Sequence, residues 1–245
     1  MPRDAVIICG TPRSGSSLLC GALRATRLCG RADEFFERQT LRENTEEWSV
    51  RNRRQYVKQM LDTTTPNGVF SIKVHWHHMN NLRAHLQPRE RPWRRRQQNP
   101  FVYLAPRLHF VFLSRRDKVR QAVSYQRAMI TRRWHAHLGE PAPDDVLPHQ
   151  IDVATLRSVV QTLHECEGHW KDLFERVGIR PLELFYEDDL EVGYERAALR
   201  VLDSAGIDRP RDLVAPSNLQ RQRDEWSEAV VQIYKDLEHR GFSLG

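Results

Sequence analysis

The chain has 245 residues, of which 38 are Lys or Arg and 32 are Asp or Glu, so its formal net charge at pH 7 is +6. Hydrophobic residues make up 40% and charged residues 29%, which supports a packed core and excludes a disordered chain. No apolar run reaches the roughly 18 residues of a membrane span, the first residues carry no secretion signal, and the four cysteines form no Cys-x-x-Cys pair. We therefore expect a single cytoplasmic domain over 1–245 with reduced thiols.

Predicted strands and helices alternate along the chain. A β-branched run favours a buried parallel strand at 5–9, and apolar residues at helical spacing follow the turn after it. Further strands are expected at 69–74, 108–114 and 181–186, and further helices after Asp117, over 152–177 with Gly178 as the cap, around 197–202, and over 224–239. This order predicts a three-layer, P-loop-like α/β domain whose mainly parallel central sheet is flanked by helices.

The first turn, GTPRSGSS at 10–17, has the spacing of a phosphate-binding loop and lies between a strand and a helix. Backbone N–H groups of such a loop, together with the helix dipole, form a cradle for an anion. Ser16 occupies the position at which a nucleotide triphosphatase has its lysine, and a cation, Arg13, comes three residues earlier. The missing lysine disfavours an ATP-dependent kinase.

TPRSGSSLL resembles the 5′-phosphosulfate loop of sulfotransferases that use 3′-phosphoadenosine 5′-phosphosulfate (PAPS), and in particular the bacterial trehalose 2-sulfotransferase-like family. Four further stretches resemble that family in order: DEFFER, GVFSIKVHW, LSRRDKVRQAVSY and LQRQRDEW. The resemblance implies PAPS as the sulfuryl donor, a hydroxyl acceptor such as a carbohydrate or glycolipid, no obligatory metal, and a homodimer.

The same resemblance assigns the residues that bind the nucleotide. It places the 5′ end of PAPS on Arg13 and on the loop amides of Ser14, Gly15, Ser16 and Ser17. It assigns the 3′-phosphate to Arg115 with Ser124, and Arg221 closes over the same phosphate. Arg116 is an alternative to Arg115, because either guanidinium offers the fork that a phosphate accepts.

The catalytic residues implied by the family are Glu34, Lys73 and Arg13. Glu34 precedes the paired phenylalanines and is the candidate general base, although Asp33 and Glu37 are near enough to compete for that role. Lys73 ends a predicted strand, where open α/β sheets place their ligands, and is expected to neutralise the sulfuryl group.

Acceptor recognition is assigned to a polar and aromatic set. Aromatic faces pack against the apolar faces of sugars. The expected residues are Asp33, Phe35, Phe36, Trp48, His75 and Trp76. The characterised disaccharide enzymes of the family carry glutamine directly before the loop arginine, whereas this chain has Pro12, which favours a different acceptor.

Two other features suggest alternatives. His75, His77 and His78 resemble a metal cluster, but no carboxylate or cysteine joins them at ligand spacing, so we expect no metal site. The stretch 83–133 holds 14 Lys or Arg and two acids, and its loop 89–96 suggests a non-catalytic module that binds anions or nucleic acid. No recognised motif for reading nucleic acid accompanies this stretch, so we expect no nucleic-acid partner.

Overall fold

A computed structural model describes residues 1–64, 67–87, 99–134, 152–215 and 225–239. Within these residues one parallel sheet has the strand order β2-β1-β3-β4. The strands are β1 Asp4–Gly10, β2 Val69–His75, β3 Arg107–Ser114 and β4 Leu182–Phe185. The predicted α/β fold class with a parallel sheet is confirmed.

Helices cover both faces of this sheet. They are α1 Ser16–Thr26, α2 Arg38–Glu47, α3 Arg53–Thr64, α4 Met79–Leu86, α5 Lys118–Thr131, α6 Val153–Val177, α7 Glu191–Ser204 and α8 Glu225–His239. Short 3-10 turns lie at Trp76–His78 and Pro100–Tyr103, and a π turn lies at Tyr186–Leu190. The sequence did not predict α2, α3 or α4, and α2 shows why, since Leu41 is its one apolar residue and no hydrophobic stripe marks it.

Local sequence sets the ends of the helices around the sheet. The Asp117 carboxylate accepts the Arg120 N–H at 2.9 Å and begins α5. Asp152 begins α6 in the same way, accepting the N–H groups of Ala154 and Thr155. Gly178 ends α6 in the left-handed region with φ 67°. These are the capping residues that free helix ends favour.

The described core has three clusters, of which two lie on opposite faces of the sheet and the third packs α5, α6 and α8 together. Along β1, Ala5, Ile7 and Cys9 pack on the face covered by α6, while Val6 and Ile8 pack on the face covered by α1 and α7. All seven residues of β1 are buried, as expected of a central strand with helices on both sides. The predicted three-layer arrangement follows from this alternation.

The four cysteines are free thiols, of which Cys9, Cys20 and Cys29 are buried and Cys166 is partly exposed. In the described part of the chain, no helix is long and apolar enough to cross a membrane.

The strand order determines where a ligand fits. The chain leaves β1 for β2 on one side and returns to β3 on the other, so the helices after β1 and β3 diverge. Crevices at such a divergence, at the carboxyl ends of the strands, are where open α/β sheets bind ligands.

Candidate functional site

A cavity of about 1170 Å³ opens at the carboxyl ends of the strands. It is lined by residues that follow β1, β2, β3 and β4, so several distant segments contribute to it. The residues that were predicted for the site and line this cavity are Arg13, Gly15, Ser16, Ser17, Asp33, Glu34, Lys73, His75, Arg115 and Ser124.

The turn between β1 and α1 is held in an unusual backbone conformation. Gly15 caps α1 with φ 90°, and a Cβ at this position would lie 2.7 Å from the Tyr186 ring and 2.8 Å from a Leu190 methyl group. Arg13 also has a positive φ, 63°. Only glycine fits position 15, and the turn presents the N-terminus of α1 to the cavity, as anion binding requires.

The Arg13 side chain crosses to the far wall of the cavity. Its Nε donates to Ser124 Oγ at 2.9 Å, and its Nη1 donates to the Trp134 carbonyl. Burial, together with the Arg115 charge, lowers the pKa of Arg13 to about 10, so the guanidinium is charged at neutral pH. The turn that carries Arg13 and helix α5, which carries Ser124, are therefore in direct contact. The sequence resemblance assigns both to the same nucleotide.

Gln121 ties the same turn to α5. Its side-chain amide is fully buried and donates to Thr11 Oγ1 at 2.8 Å and to the Pro12 carbonyl at 2.7 Å. The sequence analysis missed this residue, which has no local signal, because its partners are more than 100 positions away.

Glu34 and Lys73 form an ion pair at the floor of the cavity. Lys73 Nζ lies 2.5 Å from Glu34 Oε1 and donates to Ser17 Oγ at 3.0 Å. The segment before Glu34 pairs with β2, since the Lys73 N–H donates to the Asp33 carbonyl at 3.0 Å. This backbone contact brings the carboxylate next to the turn at 10–17, which is called the anion-binding turn after its predicted role.

The charges of this pair stabilise each other. Burial alone raises the pKa of the Glu34 carboxyl, but the neighbouring His75 and Lys73, with a smaller contribution from His78, hold its pKa well below the usual range. Burial alone lowers the pKa of the Lys73 ammonium, but the Glu34 carboxylate raises it overall. Both groups are therefore charged at neutral pH.

Three histidines surround the Glu34 carboxylate. His75 Nε2 lies 3.3 Å from Ser16 Oγ, and the Nδ1 atoms of His75 and His78 each lie 3.7 Å from Glu34 Oε2. Burial lowers the pKa of His75 to about 3 and that of His78 to about 4, and it also lowers the pKa of His77. The histidines are therefore neutral, and they present hydrogen-bonding groups rather than charge.

Arg115 and Arg116 point in different directions. Arg115 lines the cavity with its guanidinium 4.5 Å from the centre of the Tyr186 ring, and its side chain is 14% exposed. Arg116 pairs with Asp188 at 2.7 Å and stacks on Phe185, and its side chain is 52% exposed. Of the two alternatives, Arg115 has the position that suits a ligand in the cavity.

Glu187 is a second residue that sequence reasoning missed. Its carboxylate accepts the N–H groups of Arg116 at 3.0 Å and Asp117 at 3.2 Å, and it lies 3.8 Å from Arg115 Nε. A signal for it was present, because the acidic run EDD at 187–189 directly follows the strand predicted at 181–186, at the edge where a parallel sheet places its ligands. The π turn that contains this run is a feature often found at functional sites.

Four of the predicted acceptor residues lie outside the cavity lining. Phe35 and Phe36 are each 1% exposed and pack in the core. Trp48 packs against Tyr56, and Trp76 stacks on His169. The two phenylalanines instead anchor the segment that carries Glu34, whose backbone Tyr56 holds by donating to the Phe35 carbonyl at 2.6 Å.

Ser14, predicted to bind the nucleotide through its amide, is fully buried and does not line the cavity, and its N–H donates to the Thr11 carbonyl at 3.3 Å. Arg221 and the basic loop 89–96 lie outside the described residues.

The fold and the cavity define a P-loop-like α/β transferase. The chain belongs to the Stf0 sulphotransferase family, whose sequence model matches residues 5–236, and it is a sulfotransferase.

Two curated relatives match nearly the whole chain. A trehalose 2-sulfotransferase of Mycobacterium tuberculosis is 28% identical over 257 residues, covering 94% of this chain and 93% of its own length. A trehalose 2-sulfotransferase of Mycolicibacterium smegmatis is 28% identical over 269 residues, covering 98% of each. Among solved structures, a gluconokinase from Sinorhizobium meliloti matches with a TM-score of 0.37 and 12% identity over 84% of this chain and 94% of that chain, a similarity too low to bear on function.

Proposed function

We propose that the protein transfers a sulfuryl group from PAPS to a hydroxyl group of a carbohydrate, with Glu34 as the general base. The observation that carries this proposal is the position of Lys73, whose Nζ lies 2.5 Å from Glu34 Oε1 and 3.0 Å from Ser17 Oγ. One cation thus joins the base to the anion-binding turn. The residues proposed to bind the donor and the proposed base for the acceptor therefore line the same cavity.

The turn after β1 suits the 5′ end of the donor. Its backbone amides and the start of α1 supply hydrogen bonds to an anion, and Arg13 adds a charge that is already fixed by Ser124. Arg115 with Ser124 suits the 3′-phosphate, because both line the same wall of the cavity. Because Ser16 stands where an ATP-binding loop has its lysine, this arrangement favours a bisphosphate nucleotide over ATP.

The reaction is an in-line displacement at sulfur. The donor supplies an activated sulfuryl group whose leaving group is the 5′-phosphate of adenosine 3′,5′-bisphosphate. Glu34 takes the proton of the acceptor hydroxyl as the new oxygen–sulfur bond forms and the sulfur–oxygen bond to the 5′-phosphate breaks. Lys73 and Arg13 stabilise the negative charge on the sulfuryl and leaving oxygens. His75, neutral and 3.3 Å from Ser16 Oγ, is suited to orient the acceptor.

The acceptor side of the cavity is polar. Beyond Glu34 and the histidines it is lined by Arg38, Thr40, Glu43, Asn80 and Asn81. Such groups fit the many hydroxyls of a carbohydrate. Both curated relatives are named for trehalose, and Pro12 lines the cavity where the disaccharide enzymes carry glutamine, so we expect a preference that differs from theirs.

The test combines nucleotide binding with turnover. We expect adenosine 3′,5′-bisphosphate to bind in calorimetry without Mg²⁺, and Mg²⁺-ATP to bind far more weakly. Sulfur-labelled PAPS should transfer label to at least one member of a panel containing trehalose, other sugars and glycolipids. Tight binding of Mg²⁺-ATP without binding of the bisphosphate would contradict the proposal.

A further inference from the structure

The two oxygens of the Glu34 carboxylate have different neighbours. Oε1 contacts Lys73 Nζ, whereas Oε2 lies 3.7 Å from both His75 Nδ1 and His78 Nδ1. A separation of 3.7 Å is too long for a hydrogen bond, so Oε2 faces two imidazole nitrogens and bonds to neither. His78 Nδ1 is buried and has no hydrogen-bond partner among the described residues, and its side chain is 7% exposed.

These separations are close to those between two ligands of one metal ion. Bonds of about 2.0–2.1 Å at a tetrahedral angle put neighbouring ligand atoms roughly 3.4 Å apart. The 3.7 Å pairs differ from that spacing by a few tenths of an ångström. The ligand nitrogens of His75, His77 and His78 also lie within 4.8 Å of one another, and exposed His77 extends the cluster towards the cavity.

We propose that Glu34, His75 and His78, joined by His77, form a site for a divalent transition-metal ion of the zinc class. Imidazole nitrogens with one carboxylate oxygen suit Zn²⁺, Co²⁺, Ni²⁺ or Cu²⁺, whereas Mg²⁺ prefers oxygen ligands and water. No carboxylate neighbours the histidines in the chain, so no metal site was expected from the sequence. The pairing of Asp33 with β2 supplies that carboxylate from another segment.

An ion at this site would occupy the lone pair of Oε2 and so compete with the acceptor for Glu34. Metal binding is therefore expected to inhibit sulfuryl transfer competitively with the acceptor and to leave nucleotide affinity unchanged. The Lys73 charge on Oε1 opposes a second cation, so the ion should be removable by a chelator. The inhibitory effect rests on the proposed function, but the binding itself does not.

The direct test uses Co²⁺ as a coloured substitute for Zn²⁺, added to full-length protein that lacks a polyhistidine tag and has been treated with chelator. We expect one Co²⁺ per chain with the strong visible absorption of tetrahedral coordination, displaced by Zn²⁺ and unaffected by Mg²⁺. His78→Ala should weaken binding at least about tenfold. His77→Ala, at an exposed position, should also weaken it, whereas His164→Ala on the exposed face of α6 should leave it unchanged.

The possible results distinguish a failure of the metal site from a failure of the proposed function. Equal Co²⁺ affinity in the cluster variants and in His164→Ala, or a weak spectrum typical of solvated Co²⁺, would overturn the metal site. In steady-state assays Zn²⁺ should inhibit the native protein and inhibit His77→Ala less. Stoichiometric Co²⁺ binding in a protein without sulfotransferase turnover would support the site and contradict the proposed function. Turnover that is insensitive to Zn²⁺, together with absent Co²⁺ binding, would support the proposed function and contradict the metal site.

Discussion

Lys73 contacts both the Glu34 carboxylate, which is the proposed general base, and Ser17 in the turn proposed to bind an anion. In the absence of a ligand its charge stabilises the Glu34 carboxylate and keeps the carboxyl pKa low, which makes Glu34 a weak base. A sulfuryl group bound near Ser17 would attract the same ammonium. Burial of the carboxylate would then be less compensated by charge, so we expect the pKa of Glu34 to rise when the donor is bound. The proposed roles of Glu34 and of the turn would thus be coupled through Lys73.

We predict that Glu34→Gln lowers kcat by about 10²–10⁴-fold, because the amide cannot accept the hydroxyl proton. Nucleotide affinity measured by calorimetry should be essentially unchanged. Glu37→Gln is the matched control, because the Glu37 carboxylate is occupied in capping α2, where it accepts the Thr40 N–H at 2.8 Å. Turnover of Glu34→Gln close to that of this control would show that another group is the base.

A second pair of variants distinguishes the two adjacent arginines. Arg115→Lys should weaken the binding of adenosine 3′,5′-bisphosphate about tenfold or more, because an ammonium cannot form the two parallel hydrogen bonds of a guanidinium. Arg116→Lys should bind normally, since Arg116 faces Asp188. Comparison with adenosine 5′-phosphate, which lacks the 3′-phosphate, completes the measurement. An equal loss in both variants would contradict the assignment.

The anion-binding turn is held in place by three neighbouring elements. The start of α1 continues it, Gln121 of α5 donates to its backbone, and the π turn after β4 packs on Gly15. Its shape is therefore set by tertiary contacts as well as by its own sequence. A disturbance at any of these contacts should reach the ligand site.

We predict that Gly15→Ala destabilises the protein by about 1–3 kcal/mol, because φ 90° is unfavourable for alanine and its Cβ would clash with Tyr186. Nucleotide affinity should fall as well. Gly168→Ala in α6 is the control, since its Cβ would meet nothing within 4 Å and alanine favours a helix by up to about 1 kcal/mol. Urea unfolding gives both values, and equal stabilities would contradict the role of Gly15.

The elements that the sequence predicted are those with a local signal. The β-branched run of β1, the capping aspartates of α5 and α6, and Gly178 each act within a few residues, and each predicted element is present. Polar α2 has no such signal and is held by Glu37 at its start. At the site, spacing predicted an anion cradle at 10–17 but not Gln121, whose partners are distant in the chain. Glu187 was not predicted either, although it lies in the acidic run that follows the strand predicted at 181–186. Aromatic character alone did not reveal that Phe35 and Phe36 are core residues.

The two ends of the sheet have different roles in the molecule. The carboxyl ends form the cavity, and the amino ends are joined by the buried carboxylate of Asp4. Arg107 donates to it at 2.6 and 2.7 Å, and Arg3 and His109 also contact it, at 2.8 and 3.0 Å. The Arg107 bonds, with those of His109 and Arg3, outweigh burial and hold the pKa of Asp4 well below its usual range.

We predict a pH-dependent loss of stability from this cluster. Because the folded-state pKa of Asp4 is depressed, its contribution is complete above the unfolded value of about 3.9 and is lost as the pH falls towards the folded value. Asp4→Asn should cost about 1 kcal/mol at pH 7, a modest figure because Arg3 and Arg107 are largely exposed. The difference between native and variant in urea unfolding should shrink below pH 4. Asp203→Asn, at an exposed pair with Arg209, should change stability little at any pH.

The uneven exposure of the thiols makes this chain suitable for labelling without mutagenesis. Burial raises the pKa of Cys20 and Cys29 to about 12 and that of Cys9 well above its usual range. It also raises the pKa of Cys166, but this thiol lies partly exposed on α6, whereas the other three are buried. A maleimide dye at neutral pH should therefore react at a single position. The next residue, Glu167, pairs with Lys118 at 2.9 Å, and Lys118 donates to the Arg115 carbonyl. A fluorophore on Cys166 would lie next to Glu167, which is linked through Lys118 to Arg115, an arginine proposed to bind phosphate. We expect the binding of a nucleotide to change the fluorescence intensity of this label.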